Sequence, residues 1–201
     1  TDPSYAGQMV VMTYPLIGNY GVTPDRESRR IWADGLIVRE LEDMPSNFRC
    51  EEELDALLVE EGVAGIAGID TRALAKLLRK KGTMNGMITT DADYRIGEVV
   101  MKLHAYKMGN VVRETSCKES YVLKGDGPRI ALLDLGAKAN IAASLNKRGC
   151  EVTVYPADTS AETILHANPD GIMLSNGPGD PSTCMEIISQ VRRLYESDIC
   201  C

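Results

Sequence analysis

Asn176-Gly177-Pro178-Gly179-Asp180-Pro181 is the stretch of this chain best suited to chemistry. It follows directly on Ile172 to Leu174, a short apolar run that reads as a buried strand. Pro178 fixes one φ angle, and the glycines beside it reach conformations closed to other residues. A turn of this composition brings bare backbone N–H groups up to a ligand, as stabilising an oxyanion requires. In open α/β sheets, ligands bind in the crevice outside the carboxyl ends of the strands, and this turn falls at such an end. Taken alone, Gly-Pro-Gly reads more readily as a plain strand-to-helix connection. No Gly-Lys-Ser/Thr follows Gly179, and Asp134-Leu135-Gly136 does not open a G-x-G-x-x-G fingerprint. Neither an ATP nor an NAD site is therefore expected on this chain.

Other reactive residue types are scattered. Cysteines stand at 50, 117, 150, 184, 200 and 201, with no C-x-x-C pair and no His/Cys spacing suited to zinc, so no metal ligands are assigned. Singles of this kind read as free thiols in a reducing compartment, filling space as small hydrophobes. Cys200 and Cys201 have no glycine elbow around them and no base after them. His104 lies beside an apolar helical stripe, and His166 sits in a helix tail before Asn168-Pro169; both read as helix-surface residues. No residue is therefore assigned a catalytic role.

The Asn176 to Pro181 string resembles the oxyanion loop of class I glutamine amidotransferases. Further segments narrow the resemblance to the small-subunit family of carbamoyl phosphate synthetases. They are Thr1-Asp2-Pro3-Ser4-Tyr5, Thr13-Tyr14-Pro15-Leu16-Ile17-Gly18-Asn19, Gly68-Ile69-Asp70-Thr71-Arg72, Gly82-Thr83-Met84-Asn85-Gly86 and Asp134-Leu135-Gly136-Ala137-Lys138. They fall in family order along the whole chain. An amidotransferase subunit of another pathway, such as anthranilate synthesis, would match the second half only.

The resemblance implies glutamine hydrolysis: a cysteine thiolate attacks the side-chain amide, a thioester forms, and water releases glutamate. Ammonia then passes to a large subunit, which makes carbamoyl phosphate for pyrimidine and arginine biosynthesis. It also implies that Gly177 and Gly179 line the glutamine site and that Ser4 contacts glutamine. On sequence alone, a serine after Asp-Pro reads more readily as a turn residue. The family's nucleophile lies one strand beyond the helix that follows Pro181, and its histidine and glutamate lie further on. These 201 residues are therefore expected to be a clipped portion without glutaminase activity of their own. The implied partners are the large subunit and glutamine, in a cytoplasmic heterodimer. ATP and metal ions are expected on the large subunit, and no cofactor on this chain. The alternative expectation is a non-catalytic docking module for that large subunit.

The elements needed to position these residues are legible as an α/β chain. Residues 1–112 read as a mixed α/β N-terminal domain. Its strands span Gln8 to Tyr14, Gly35 to Leu41 and Val63 to Ile69, and one helix puts Leu54, Leu57 and Leu58 on one face. A second helix, capped by Asp70 or Thr71, carries Leu74, Leu77 and Leu78 and ends in Arg79-Lys80-Lys81-Gly82. Those are cations at the negative end of the helix dipole, with a stop glycine after them. Residues 113–128 read as a connecting segment.

Residues 129–201 read as the first half of a doubly wound parallel-sheet amidotransferase domain. Strands at Ile130 to Leu135, Glu151 to Tyr155 and Ile172 to Leu174 alternate with helices at Asn140 to Arg148 and Ser160 to Ala167. A last helix is marked by Met185, Ile188, Val191 and Tyr195. Three strands make a sheet with an open edge, which favours association with other copies or further strands.

Composition sets outer limits. A hydrophobic fraction of 44% suffices for cores, and a net charge of −7 disfavours nucleic acid and anionic membrane as partners. No apolar run approaches the roughly 18 residues that would span a bilayer.

Overall fold

A computed structural model describes residues 1–201 as two compact units, Gly7–Met108 and Thr1–Ala6 with Gly109–Cys201. The first six residues thus pack with the second half of the chain and not with the residues that follow them.

In Gly7–Met108, three short strands, β1 (Met9–Val11), β2 (Gly35–Ile37) and β3 (Ala64–Ile66), form a parallel sheet in that order. Each is shorter than its apolar run suggests. Helix α1 (Leu54–Glu60) buries Leu57 and Leu58, at 4% and 6% exposure. Helix α2 (Thr71–Lys81) is capped by Asp70, whose Oδ1 accepts the Ala73 N–H at 2.9 Å, while Thr71 is its buried first residue. Gly82 ends it at φ +85°, the left-handed region that favours glycine. Leu74 and Leu78 are half-buried, whereas Leu77 is exposed. Helix α3 (Ile96–Ala105) buries no residue fully.

The second unit is built on a four-stranded sheet. Short α4 (Val111–Thr115) precedes β4 (Tyr121–Leu123). There follow β5 (Arg129–Asp134), α5 (Ala139–Lys147), β6 (Glu151–Pro156), α6 (Ala161–His166), β7 (Gly171–Leu174) and α7 (Met185–Tyr195). Strand order is β4-β6-β5-β7. β5 pairs in parallel with β6 and β7, and β4 lies antiparallel on the outer edge of β6. The stretch read from sequence as connecting, 113–128, therefore adds an antiparallel strand to a sheet expected to be parallel throughout. Three residues, Tyr121 to Leu123, are too few for an alternation to stand out.

Central β5 is buried on both faces, which is why its sequence is almost uniformly apolar. Leu132 packs with Val152, Val154 and Ala142 under α5. Ala131 and Leu133 pack with Tyr155, Ala161, Ile164, Ile172 and Leu194 under α6 and α7. Leu132, Ile164 and Leu194 have no exposed surface. Helix α7 turns Ile187 and Leu194 inward with half-buried Val191, while Met185 and Tyr195 are 68% and 76% exposed. The buried stripe is thus rotated from the one expected of Met185, Ile188, Val191 and Tyr195.

Candidate functional site

β5 and β7 are neighbours, yet the chain leaves them for opposite faces of the sheet, towards α5 and α7 respectively. This is a topological switch point, the place at the carboxyl ends of the strands where open α/β sheets bind ligands. Two loops line it: Leu135 to Lys138 after β5 and Ser175 to Asp180 after β7.

Asp134 pins the first loop. Its Oδ1 accepts the N–H groups of Gly136 and Ala137 at 2.9 and 2.7 Å, and its Oδ2 accepts the Cys117 N–H at 2.7 Å. The side chain is 8% exposed, so the carboxylate holds backbone donors and is not offered to solvent. The second loop is stitched to the first. The Leu135 N–H donates to Ser175 Oγ at 2.9 Å, and that hydroxyl donates to the Asn176 carbonyl at 2.7 Å.

Backbone contact between the loops explains two glycines. A Cβ on Gly177 would lie 2.2 Å from the Leu135 carbonyl oxygen, so no side chain fits. Gly136 stands at φ +111°, and a Cβ there would meet Pro178 Cδ at 2.7 Å and Thr115 Oγ1 at 2.8 Å. Gly179 is at φ +79° and exposed. The N–H groups of Gly177 and Gly179 take no part in the unit's backbone hydrogen bonding, which leaves two donors for a ligand. Asp180 then caps the 3-10 turn Pro181–Thr183 by accepting the Ser182 N–H at 2.9 Å, a bond that holds its carboxyl below the usual range.

Ser4 reaches the same place from the other end of the chain. It sits in a 3-10 turn, Pro3–Tyr5, capped by Asp2, whose Oδ1 accepts the Ser4 N–H at 2.9 Å. Lys138 Nζ lies 2.8 Å from Asp2 Oδ2. Burial alone would raise the Asp2 carboxyl. Hydrogen bonds from Lys138 and from the Ser4 N–H and hydroxyl outweigh it and hold the group below the ordinary carboxylate range. Asn176 closes the arrangement, its Nδ2 donating to Ser4 Oγ at 2.9 Å.

Ser4 and the Asn176 to Gly179 loop are therefore brought together. Sequence reasoning quoted Asn176, Asp134, Asp2 and Lys138 only as members of motifs and gave none of them a role. Asp134, a carboxylate at the end of a buried strand just before a glycine turn, carried a local signal for its role. Asp2, just before Pro3, carried a local capping signal as well, whereas Asn176 and Lys138 carried none, because their partners lie far away in sequence.

Burial, then the adjacent Asp134 carboxylate, push the Cys117 thiol up to about 12. Cys184 is buried, and burial followed by neighbouring Cys200 pushes the Cys201 thiol up. His104 and His166 are exposed on α3 and α6. No helix is long and apolar enough to cross a membrane.

Loops of two adjacent parallel strands, meeting backbone to backbone under an Asn-Gly-Pro-Gly turn, define the class. Residues 131–201 match the glutamine amidotransferase class-I family. Residues 1–88 match the CPSase domain of the carbamoyl-phosphate synthase small chain. The carbamoyl phosphate synthase small chain of Clostridium perfringens is 48% identical over 195 residues, covering 96% of this chain and 56% of the relative. Those of Listeria monocytogenes (46% over 194 residues) and Bacillus caldolyticus (48% over 194) are each matched over 96% of this chain and 53% of their own length. The chain belongs to the carbamoyl phosphate synthase small chain family. It spans about half the length of the curated relatives it matches.

Proposed function

We propose that these residues form the binding side of a glutamine site that serves carbamoyl phosphate synthesis. Glutamine hydrolysis would release ammonia to a cytoplasmic large-subunit partner, which supplies ATP and metal chemistry for the pyrimidine and arginine precursors. The observation that carries this reading is the convergence of Ser4 on the Asn176 to Gly179 loop. A hydroxyl and the open N–H groups of Gly177 and Gly179 give a polar substrate three directional contacts. The glycines suit an oxyanion formed on the substrate amide, where one such donor is worth about 2.7–4 kcal/mol of barrier.

Nucleophile, base and orienting carboxylate have no counterpart among these side chains. Losing a nucleophile costs a triad enzyme about a millionfold in rate. The 201-residue chain should therefore bind glutamine and not turn it over. Isothermal titration calorimetry with L-glutamine, run beside an ammonia-release assay, tests both halves. Saturable binding with no ammonia supports the reading. Turnover would overturn the inactivity, and no binding would overturn the site.

A docking role has its own observation. Arg72, Lys76 and Arg79 line a shallow cleft with Thr13 and Ala75, and they belong to none of the ion pairs. On a chain of net charge −7, such a face suits an acidic partner surface. A pure docking module would capture the large subunit in a salt-sensitive way and show no glutamine binding.

A further inference from the structure

We infer that Asn176 is a positioning residue for Ser4, setting the rotamer and hydrogen-bond polarity of the hydroxyl that meets glutamine. This rests on the glutamine reading given above.

The geometry is a chain of donors and acceptors with one direction. Asn176 can offer two N–H donors and one carbonyl, and a donor is directed at Ser4 Oγ, at 2.9 Å. The hydroxyl in turn bonds the Asp2 carboxylate, whose Oδ2 is also held by Lys138 Nζ at 2.8 Å. A serine hydroxyl has one hydrogen and two lone pairs. With the hydrogen on Asp2 and one lone pair filled by Asn176, both the χ1 angle and the remaining lone pair of Ser4 are fixed. Without Asn176, the hydroxyl keeps Asp2 but loses its tie to the loop that carries Gly177 and Gly179. A ligand bound between them would then have to order Ser4 on arrival, and preorganisation of this kind is what sets affinity.

The Asn176 side chain makes no other hydrogen bond that would explain its presence. The residue is exposed, and the hydrogen bond that Ser175 Oγ donates goes to its backbone carbonyl and not to its side chain. The Gly177 turn is built by backbone contact with Leu135, which needs no amide side chain at 176. Its contribution therefore runs through Ser4.

The test is a double-mutant cycle on L-glutamine affinity, measured calorimetrically with the 201-residue chain. Asn176→Ala should weaken binding about fivefold, the order expected of one hydrogen bond. Asn176→Asp keeps the shape but replaces the donor with an acceptor, and it should weaken binding at least as much. In a Ser4→Ala background, neither change at 176 should weaken binding further, because the group it acts through is gone. A residue that merely shaped the loop would add its loss to that of Ser4→Ala, and additive losses would overturn the inference. So would an Asn176→Asp chain that binds as tightly as the unmodified one. If the unmodified chain binds no glutamine, the underlying reading fails and this inference falls with it. If it binds but Ser4→Ala is silent, only the positioning role fails.

Discussion

Gly177 has its Cα where any added carbon would enter the Leu135 carbonyl, at 2.2 Å, and a backbone oxygen cannot swing aside as a side chain can. Gly177→Ala should therefore push the two loops apart. Overpacking of this kind costs about 1–3 kcal/mol, and glutamine affinity should fall with it. Urea denaturation and calorimetry on the same variant check both effects.

Cys117 gives a second residue-scale prediction, in pH. Its folded thiol is raised from 9.0 to about 12, by burial first and the Asp134 carboxylate second. A raised pKa means that the folded state holds the proton more tightly than the unfolded chain. The corresponding stability is fully present below pH 9 and drains away between pH 9 and 12. In the native chain Cys117 should resist iodoacetamide at pH 8 while exposed Cys200 reacts, and peptide mapping reads the difference. Early labelling of Cys117 would show that its thiol is neither buried nor beside a carboxylate.

Among the elements, α7 shows where packing decides between two legible patterns. Its sequence supports one apolar stripe through Met185, Ile188, Val191 and Tyr195 and another through Ile187, Val191 and Leu194. Only the second meets the sheet, with Leu194 entirely enclosed beside Ile164 and Ile172. Leu194→Ala should cost about 2–5 kcal/mol. Tyr195→Ala, one residue away and 76% exposed, should change stability by less than about 0.5 kcal/mol. Equal effects from thermal melts would place the wrong face on the sheet.

At the scale of the whole molecule, two compact units predict two separable unfolding events. The single tryptophan, Trp32, lies in Gly7–Met108 with the Arg30 guanidinium 4.4 Å over its ring, so its emission reports that unit. Leu194 lies in the other. In the Leu194→Ala chain, far-UV ellipticity should show an earlier transition while the Trp32 midpoint stays where it was. A Trp32 midpoint that moves in step would mean that the chain unfolds as one cooperative body.

The sequence by itself determined the elements. Asp70 and Gly82 bracket α2, the uninterrupted apolar run marks β5 as buried on both faces, and the alternation of strand and helix after residue 129 implies a doubly wound sheet. Caps, periodicity and glycine backbone angles act over a few residues, so a few residues suffice to read them. The Asn-Gly-Pro-Gly turn was legible for the same reason, and it marked where the site would be. Only the tertiary structure decided that β4 lies antiparallel on β6, which stripe of α7 is inside, and that Ser4 meets Asn176 across 172 positions. Closing a loop that long costs only slightly more than closing one half its length. Which distant groups meet is therefore set by the packed core that carries them there, and no local pattern records it.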